Sequence, residues 1–153
     1  LTALVDIYNQ AIVDEKTAHT DPVSVESRRD WFDEHQPASY PIVIMEKGDT
    51  ILGYLTVSPY RAGRLALRHT AEVSFYIHKD YQRQGCASKL LEWVIDKSLD
   101  LNIKTLFAIL LENNQGSIRL LAKFGFEKWG EFPRVADFKG VEVGQFYYGR
   151  RIN

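Results

Sequence analysis

Two segments of this 153-residue chain combine residue types and spacings that can do chemistry. In Asp80-Tyr81-Gln82-Arg83-Gln84-Gly85-Cys86-Ala87-Ser88 a polar run ends on small residues, directly before Leu90, Leu91, Val94, Ile95 and Leu99 at helical spacing. A loop that opens a helix in this way presents unpaired N–H groups at the positive end of the helix dipole, and small side chains let a pyrophosphate approach them. The run is neither a Walker loop, lacking GxxxxGK followed by Ser or Thr, nor a dinucleotide fingerprint, lacking GxGxxG. An ordinary strand-to-helix turn capped by Gly85 is the competing reading. In the second segment, Ala71 to Ile77, the strand period sends Val73, Phe75 and Ile77 one way and Glu72, Ser74 and Tyr76 the other. A carboxylate on the polar side of a strand is either a solvated surface group or a general base. Arg61, Arg64 and Arg68 lie just before this strand. A guanidinium fork suits a carboxylate bidentately, and a solvated basic loop is the alternative.

The elements that must position these groups follow from periodicity. Leu1, Leu4, Val5, Tyr8 and Ile12 recur at three-to-four spacing, which predicts an amphipathic helix with one buried face. The polar stretch Asp14 to Pro22 breaks the pattern, and Ser24 ahead of Glu26 reads as the N-cap of a second helix through Trp31 and Phe32, ending near His35 to Pro37. Residues 41–46 and 51–58 are β-rich and are joined by the hairpin residues Lys47-Gly48-Asp49-Thr50. Past the loop helix, residues 104–111 form a short apolar run expected as a buried strand, and Asn114 to Lys123 a helix with Gly125 as its C-terminal cap. A Lys139-Gly140 turn joins a final strand pair, Phe132 to Phe138 and Val141 to Tyr148. The sum is a mixed α/β domain, mostly antiparallel, with one strand-loop-helix unit at its centre.

Composition bounds the function. With 45% hydrophobic and 25% charged residues the chain is expected to be one soluble domain spanning 1–153. Its 19 Lys+Arg against 20 Asp+Glu give a net charge of -1 and no global attraction to nucleic acid or an anionic membrane. Cys86, the single cysteine, excludes an intrachain disulfide, and the four histidines offer no zinc spacing, with His69 and His78 read as surface residues. No apolar run approaches the ~20 residues that span a bilayer and no leader opens the chain, so a cytoplasmic protein is expected. The chain starts at Leu1 with a helical pattern already under way, so its natural beginning is expected to lie upstream.

The run Tyr81 to Ala87, with Gln82, Gly85 and Ala87 on the defining positions, resembles the Q/R-x-x-G-x-G/A acetyl-CoA loop of the GNAT N-acetyltransferases. Asn114 with Ser117-Ile118-Arg119-Leu120 through Gly125-Phe126 is similar to that family's second element. Thr70 to Ile77 and Phe132-Pro133-Arg134 resemble the phosphinothricin and methionine sulfoximine acetyltransferase branch. The resemblance covers nearly the whole chain and implies a mixed, mostly antiparallel twisted sheet flanked by helices, preceded by a strand that this chain lacks. It implies acetyl-CoA as cosubstrate without a metal, its pyrophosphate on the N–H groups of Arg83, Gln84, Gly85, Cys86, Ala87 and Ser88 beside Gln82. The pantetheine arm would pair with the edge at Phe75, Tyr76 and Ile77, and Asn114 would reach the cofactor, a role compatible with plain N-capping.

By the same resemblance Glu72 is the general base, acting through a water, Arg64 with Arg61 holds the acceptor's anionic group, Thr17 and Trp31 line the acceptor pocket, and the molecule is a homodimer. Cys86 has no covalent role, because direct transfer to an amine needs none. A lysine-like amine with pKa near ~10.4 is neutral at pH 7 in only about one part in a thousand, a cost of roughly 4 to 5 kcal/mol, whereas an α-amine near ~8 costs about 1 kcal/mol. One relayed carboxylate, worth ~10² to 10⁴ in rate, covers the second easily, so an amino-acid-like acceptor is expected. Leu121 stands where many members place a proton donor for the leaving thiolate; Tyr76, Tyr81 and Ser117 are the stand-ins. The rival readings are a protein or peptide N-terminal acetyltransferase and a non-catalytic CoA-binding sensor.

Overall fold

The computed structural model describes residues 1–152, and in it the N-terminal spacing becomes helix α1 (Thr2–Val13), with Leu4, Val5, Ile7, Tyr8 and Ile12 buried along one stripe. Helix α2 (Val25–Asp33) starts at Ser24, whose hydroxyl accepts from the Ser27 N–H at 3.1 Å while the Ser27 hydroxyl accepts from the Ser24 N–H at 3.2 Å. This reciprocal box satisfies two of the donors a helix start leaves over. The helix ends at Asp33, a little ahead of the expected His35.

Strands β1 (Ile42–Lys47) and β2 (Thr50–Pro59) form the expected hairpin, and β2 pairs antiparallel with β3 (Thr70–Ile77). Helix α3 (Cys86–Lys97) leads to β4 (Thr105–Leu111), which runs parallel to β3, and α4 (Gln115–Lys123) leads to the antiparallel pair β5 (Glu127–Phe138) and β6 (Val141–Arg151). The sheet order is β1-β2-β3-β4-β6-β5, a mixed and mostly antiparallel arrangement, as expected. The last strand pair is longer than expected. Strand β5 begins at Glu127 and not Phe132, because register shifts at Lys128/Gly130 and Phe132/Ala136 break the alternation by which a strand is read.

The main core lies between the sheet and α3 and α4, where Leu55, Val57, Val73, Leu91, Val94, Leu106 and Leu121 are at most 2% exposed. Gly125 (φ +84°) takes the left-handed turn that ends α4; its N–H donates to the Ala122 carbonyl and the Phe126 N–H to the Leu121 carbonyl, so Phe126 and Leu121 both enter that core. The opposite side of β3 is only partly polar. Tyr76 packs with Tyr54, Leu4, Ile7 and Trp31 in a second, aromatic core under α1 and α2, which the alternation of β3 alone could not show. No helix among the described residues is long and apolar enough to cross a membrane.

Candidate active site

Strands β3 and β4 share a ladder only at Thr70–Glu72 against Thr105–Phe107, although β3 continues to Ile77 and β4 to Leu111. Beyond Glu72 the strands part, and the edge of β3 facing β4 loses its strand partner. An inner cavity of about 220 Å³ opens in this gap, lined by Glu72 to Tyr76 on one side and Ala108 to Leu111 on the other, with Thr17, Asn114 and Leu121. A second cavity of about 570 Å³ adjoins it, lined by Ile77, Tyr81, Gln82, Arg83 and Gly85 to Ser88.

The loop is built to leave donors free. Gln82 donates its side-chain amide to the Ile77 carbonyl at 3.3 Å, Gln84 to the Asp80 carbonyl at 3.3 Å, and His78 Nδ1 accepts from the Asp80 N–H at 3.1 Å. Arg83 (φ +61°) and Gly85 (φ +84°) both adopt left-handed conformations that turn the chain into α3. The first backbone bond into the helix is Lys89 N–H to the Gly85 carbonyl at 3.1 Å, so the N–H groups of Cys86, Ala87 and Ser88 are the unspent donors of the first turn. They line the second cavity at the positive end of the helix dipole, a ready anion site. Across the gap Asn114 caps α4 by accepting from the Ser117 N–H at 3.4 Å, and it lines both cavities. Its capping and its access to a ligand coexist.

Glu72 sits at the point where the strands diverge, half-buried, and burial pushes its carboxyl above the ordinary carboxylate range. Tyr76 is pushed up to about 12 by burial and by neighbouring Tyr8, against an opposing hydrogen bond with Thr17. Thr17 is buried and also meets the Tyr8 hydroxyl at 3.0 Å, so it joins the aromatic core to the inner cavity it lines. Trp31 packs edge-on against Tyr54 with the Arg28 guanidinium 4.2 Å from its ring centre, and it is not among the residues lining either cavity.

The three arginines are exposed and differ in surroundings. Arg68 donates to the Leu65 carbonyl at 2.8 Å, and Arg64 precedes the short helical turn Leu65–Leu67. Arg61 lies over Tyr60, 5.4 Å from the ring centre, and its charge reaches Tyr147, which also feels Glu72. Tyr60 and Tyr147 are residues that sequence reasoning missed. With Phe107, Trp129 and Phe132 they form a continuous set of ring contacts, centres 4.8 to 6.5 Å apart, starting at Phe107, the register partner of Glu72. Trp129 and Phe132 are 49% and 45% exposed, so this aromatic floor is open. Of the three stand-ins for a proton donor, Tyr76 and Ser117 line both cavities and Tyr81 only the second.

This geometry, a sheet opened beside a phosphate-ready loop, coincides with a family match. The model of the acetyltransferase (GNAT) family matches residues 2–126. The chain belongs to the GNAT acetyltransferase family. As a whole this acetyltransferase is 32% identical over 154 residues to a Bacillus subtilis (strain 168) protein provisionally named a phosphinothricin acetyltransferase, covering 100% of this chain and 94% of the relative. It is 29% identical over 145 residues to the L-methionine sulfoximine/L-methionine sulfone acetyltransferase of Salmonella typhimurium, covering 94% and 82%. A Salmonella typhimurium protein solved with its cofactor acetyl-CoA superposes with a TM-score of 0.91 at 25% identity, over 99% of this chain and 88% of that one. The GNAT fold, the enzyme class and the branch expected from Gln82, Gly85, Ala87 and the Glu72 strand agree with these matches.

Proposed function

We propose that this acetyltransferase passes the acetyl group of acetyl-CoA directly to the amine of a small amino-acid-like acceptor, with Glu72 as the general base. Acetyl-CoA is the donor, as it is the cofactor of the structurally similar Salmonella protein. The observation that carries the reading is the parting of β3 and β4 at Glu72: one cavity holds the free N–H groups of Cys86 to Ser88, and the adjoining one holds the carboxylate. The pyrophosphate lies on the N–H groups from Arg83 to Ser88. The pantetheine amides pair with the free edge of β3 at Phe75 to Ile77 as an added strand would, with Asn114 on the opposite bank. The thioester then reaches Glu72, which takes the amine proton through a water.

The acceptor reading combines the relatives' names with the surroundings of Glu72. An α-amino acid presents a carboxylate for an arginine and an amine for Glu72, and its side chain can rest on the aromatic floor of Phe107 and Tyr147. Neither Arg61 nor Arg64 lines either cavity; in this reading both hold the acceptor's anionic group from outside, Arg61, whose charge reaches Tyr147, as the nearer and Arg64 as the farther. Thr17 borders the acceptor from the α1 side, and Trp31 supports it through Tyr54 and Tyr76. The floor is aromatic, whereas a peptide N-terminus would call for a wide hydrophilic groove, so a small acceptor is favoured. Arg61→Ala is expected to raise KM about tenfold for an anionic amino acid and little for an uncharged amine, with Arg64→Ala giving a smaller rise of the same kind. Equal effects on both acceptors would remove these arginines from the site.

Proton transfer sets the pH dependence. A base must be ionised to work, and burial raises Glu72, so kcat/KM should climb with pH along an acid limb lying above the ordinary carboxylate value of about 4.3. The same shift gives a stability term of opposite sense: native Glu72 holds its proton more tightly than the unfolded chain, so its ionisation lowers stability as pH rises from the unfolded value through the native one. A pH–rate profile without that limb would refute the assignment of the base. A homodimer completes the proposal, tested by light scattering for a particle of twice 17.6 kDa.

A further inference from the structure

Five residues, Lys16, Phe75, Tyr76, Asn114 and Ser117, line both cavities and so bound the passage between the cofactor loop and Glu72. Among the described residues Asp14, Arg83 and Arg119 line only the loop-side cavity and Glu72 only the inner one, which leaves Lys16 as the one formal charge common to both. Its place is enforced by a clasp. The chain turns back after α1, with Glu15 at φ +55° and the Lys16 N–H donating to the Ala11 carbonyl at 3.0 Å. Lys16 Nζ donates to the Asn113 carbonyl at 2.8 Å, and Asn113 Nδ2 returns a bond to the Glu15 carbonyl at 3.1 Å. One of the three ammonium protons is thereby spent, and the charge is held at the passage.

The passage offers poor proton donors for a departing sulfur. Tyr76, at about 12, is a weaker acid than an ordinary phenol; the Ser117 hydroxyl and Asn114 amide are weaker still, and Leu121 has nothing to give. A thiol near ~8.5 is a stronger acid than a lysine near ~10.4, so an ammonium beside the sulfur keeps its proton and pairs with the thiolate as a charge. We infer that Lys16 is a further catalytic residue, whose ammonium stabilises the CoA thiolate as it leaves. The inference rests on the reading of the two cavities as the acetyl-CoA site. In the balanced step the amine nitrogen bonds to the thioester carbonyl carbon and its proton passes to Glu72. The C–S bond breaks with both electrons on sulfur; the thiolate pairs with Lys16 and takes a proton from solvent on release.

The test titrates the thiol of bound CoA by ultraviolet thiolate absorbance with the protein in excess, so that nearly all CoA is bound, as a difference from the CoA-free protein so that Cys86 and the tyrosines cancel. The native protein should show a midpoint below the ordinary thiol value, and Lys16→Met should raise it by about one pH unit, a change that a neighbouring charge produces. Lys16→Arg should retain the low midpoint. Acetyl transfer should fall about tenfold in Lys16→Met and recover in Lys16→Arg. Asn113→Ala loosens the clasp and keeps the ammonium, so its midpoint should stay near the native one. Equal midpoints in the native protein and Lys16→Met would overturn the inference, as would an equal shift in Asn113→Ala. Failure of the underlying site reading is separately visible, as CoA affinity untouched by Gly85→Val.

Discussion

Replacing Glu72 by Gln is expected to lower kcat about a hundredfold or more while acetyl-CoA affinity stays close to native. The substitution keeps the size and the half-buried position of the side chain, so the cavities persist and only the basic site is lost. A relayed carboxylate contributes ~10² to 10⁴ in rate, and among the described residues lining the inner cavity no other carboxylate or imidazole is there to take its place. The other charge there, Lys16, is a cation, and Tyr76 is pushed up to about 12 and stays protonated at working pH. The variant's pH profile should also lose its acid limb. Steady-state kinetics beside a CoA titration checks both statements, and native turnover in the variant would strip Glu72 of its role.

Gly85→Val should weaken acetyl-CoA binding by about ten- to a hundredfold. Gly85 holds φ +84°, a region where a non-glycine residue is strained by ~1 to 3 kcal/mol and a β-branched one is an outlier. No protein atom lies within 4 Å of the place where a Cβ would stand, so the side chain meets no neighbour in the fold. In the proposed site it would crowd the pyrophosphate at the free N–H groups of Cys86 to Ser88, and a loop that relaxes its strain would re-aim those donors. Calorimetric titration with CoA reads the loss directly, and an unaltered isotherm would detach this loop from the cofactor.

How much of this was legible in the sequence depended on whether the signal was local. Helix α1, the first hairpin, the cap at Ser24 and the Gly125 turn follow from spacings and residue types within a few positions, and they stand where expected. The loop from Gln82 to Ser88 and the strand carrying Glu72 were readable for the same reason. The aromatic floor was not, because Tyr60, Phe107, Trp129, Phe132 and Tyr147 come from β4, β5, β6 and the loop after β2, and no periodicity links them. The start of β5 was hidden by its register shifts. Lys16 lay within a stretch readable only as a polar interruption; its clasp with Asn113 joins residues 97 positions apart, a contact only the folded sheet creates.

The central claim, acetyl transfer to a small amino-acid-like amine, is tested most directly by measuring CoA thiol release from acetyl-CoA across acceptors: phosphinothricin, methionine sulfoximine, ordinary amino acids, polyamines and short peptides. Saturable turnover with the anionic amino-acid analogues, and little with polyamines or peptides, is the predicted result. Turnover confined to peptides or polyamines, or none across the whole panel while acetyl-CoA still binds, would contradict it.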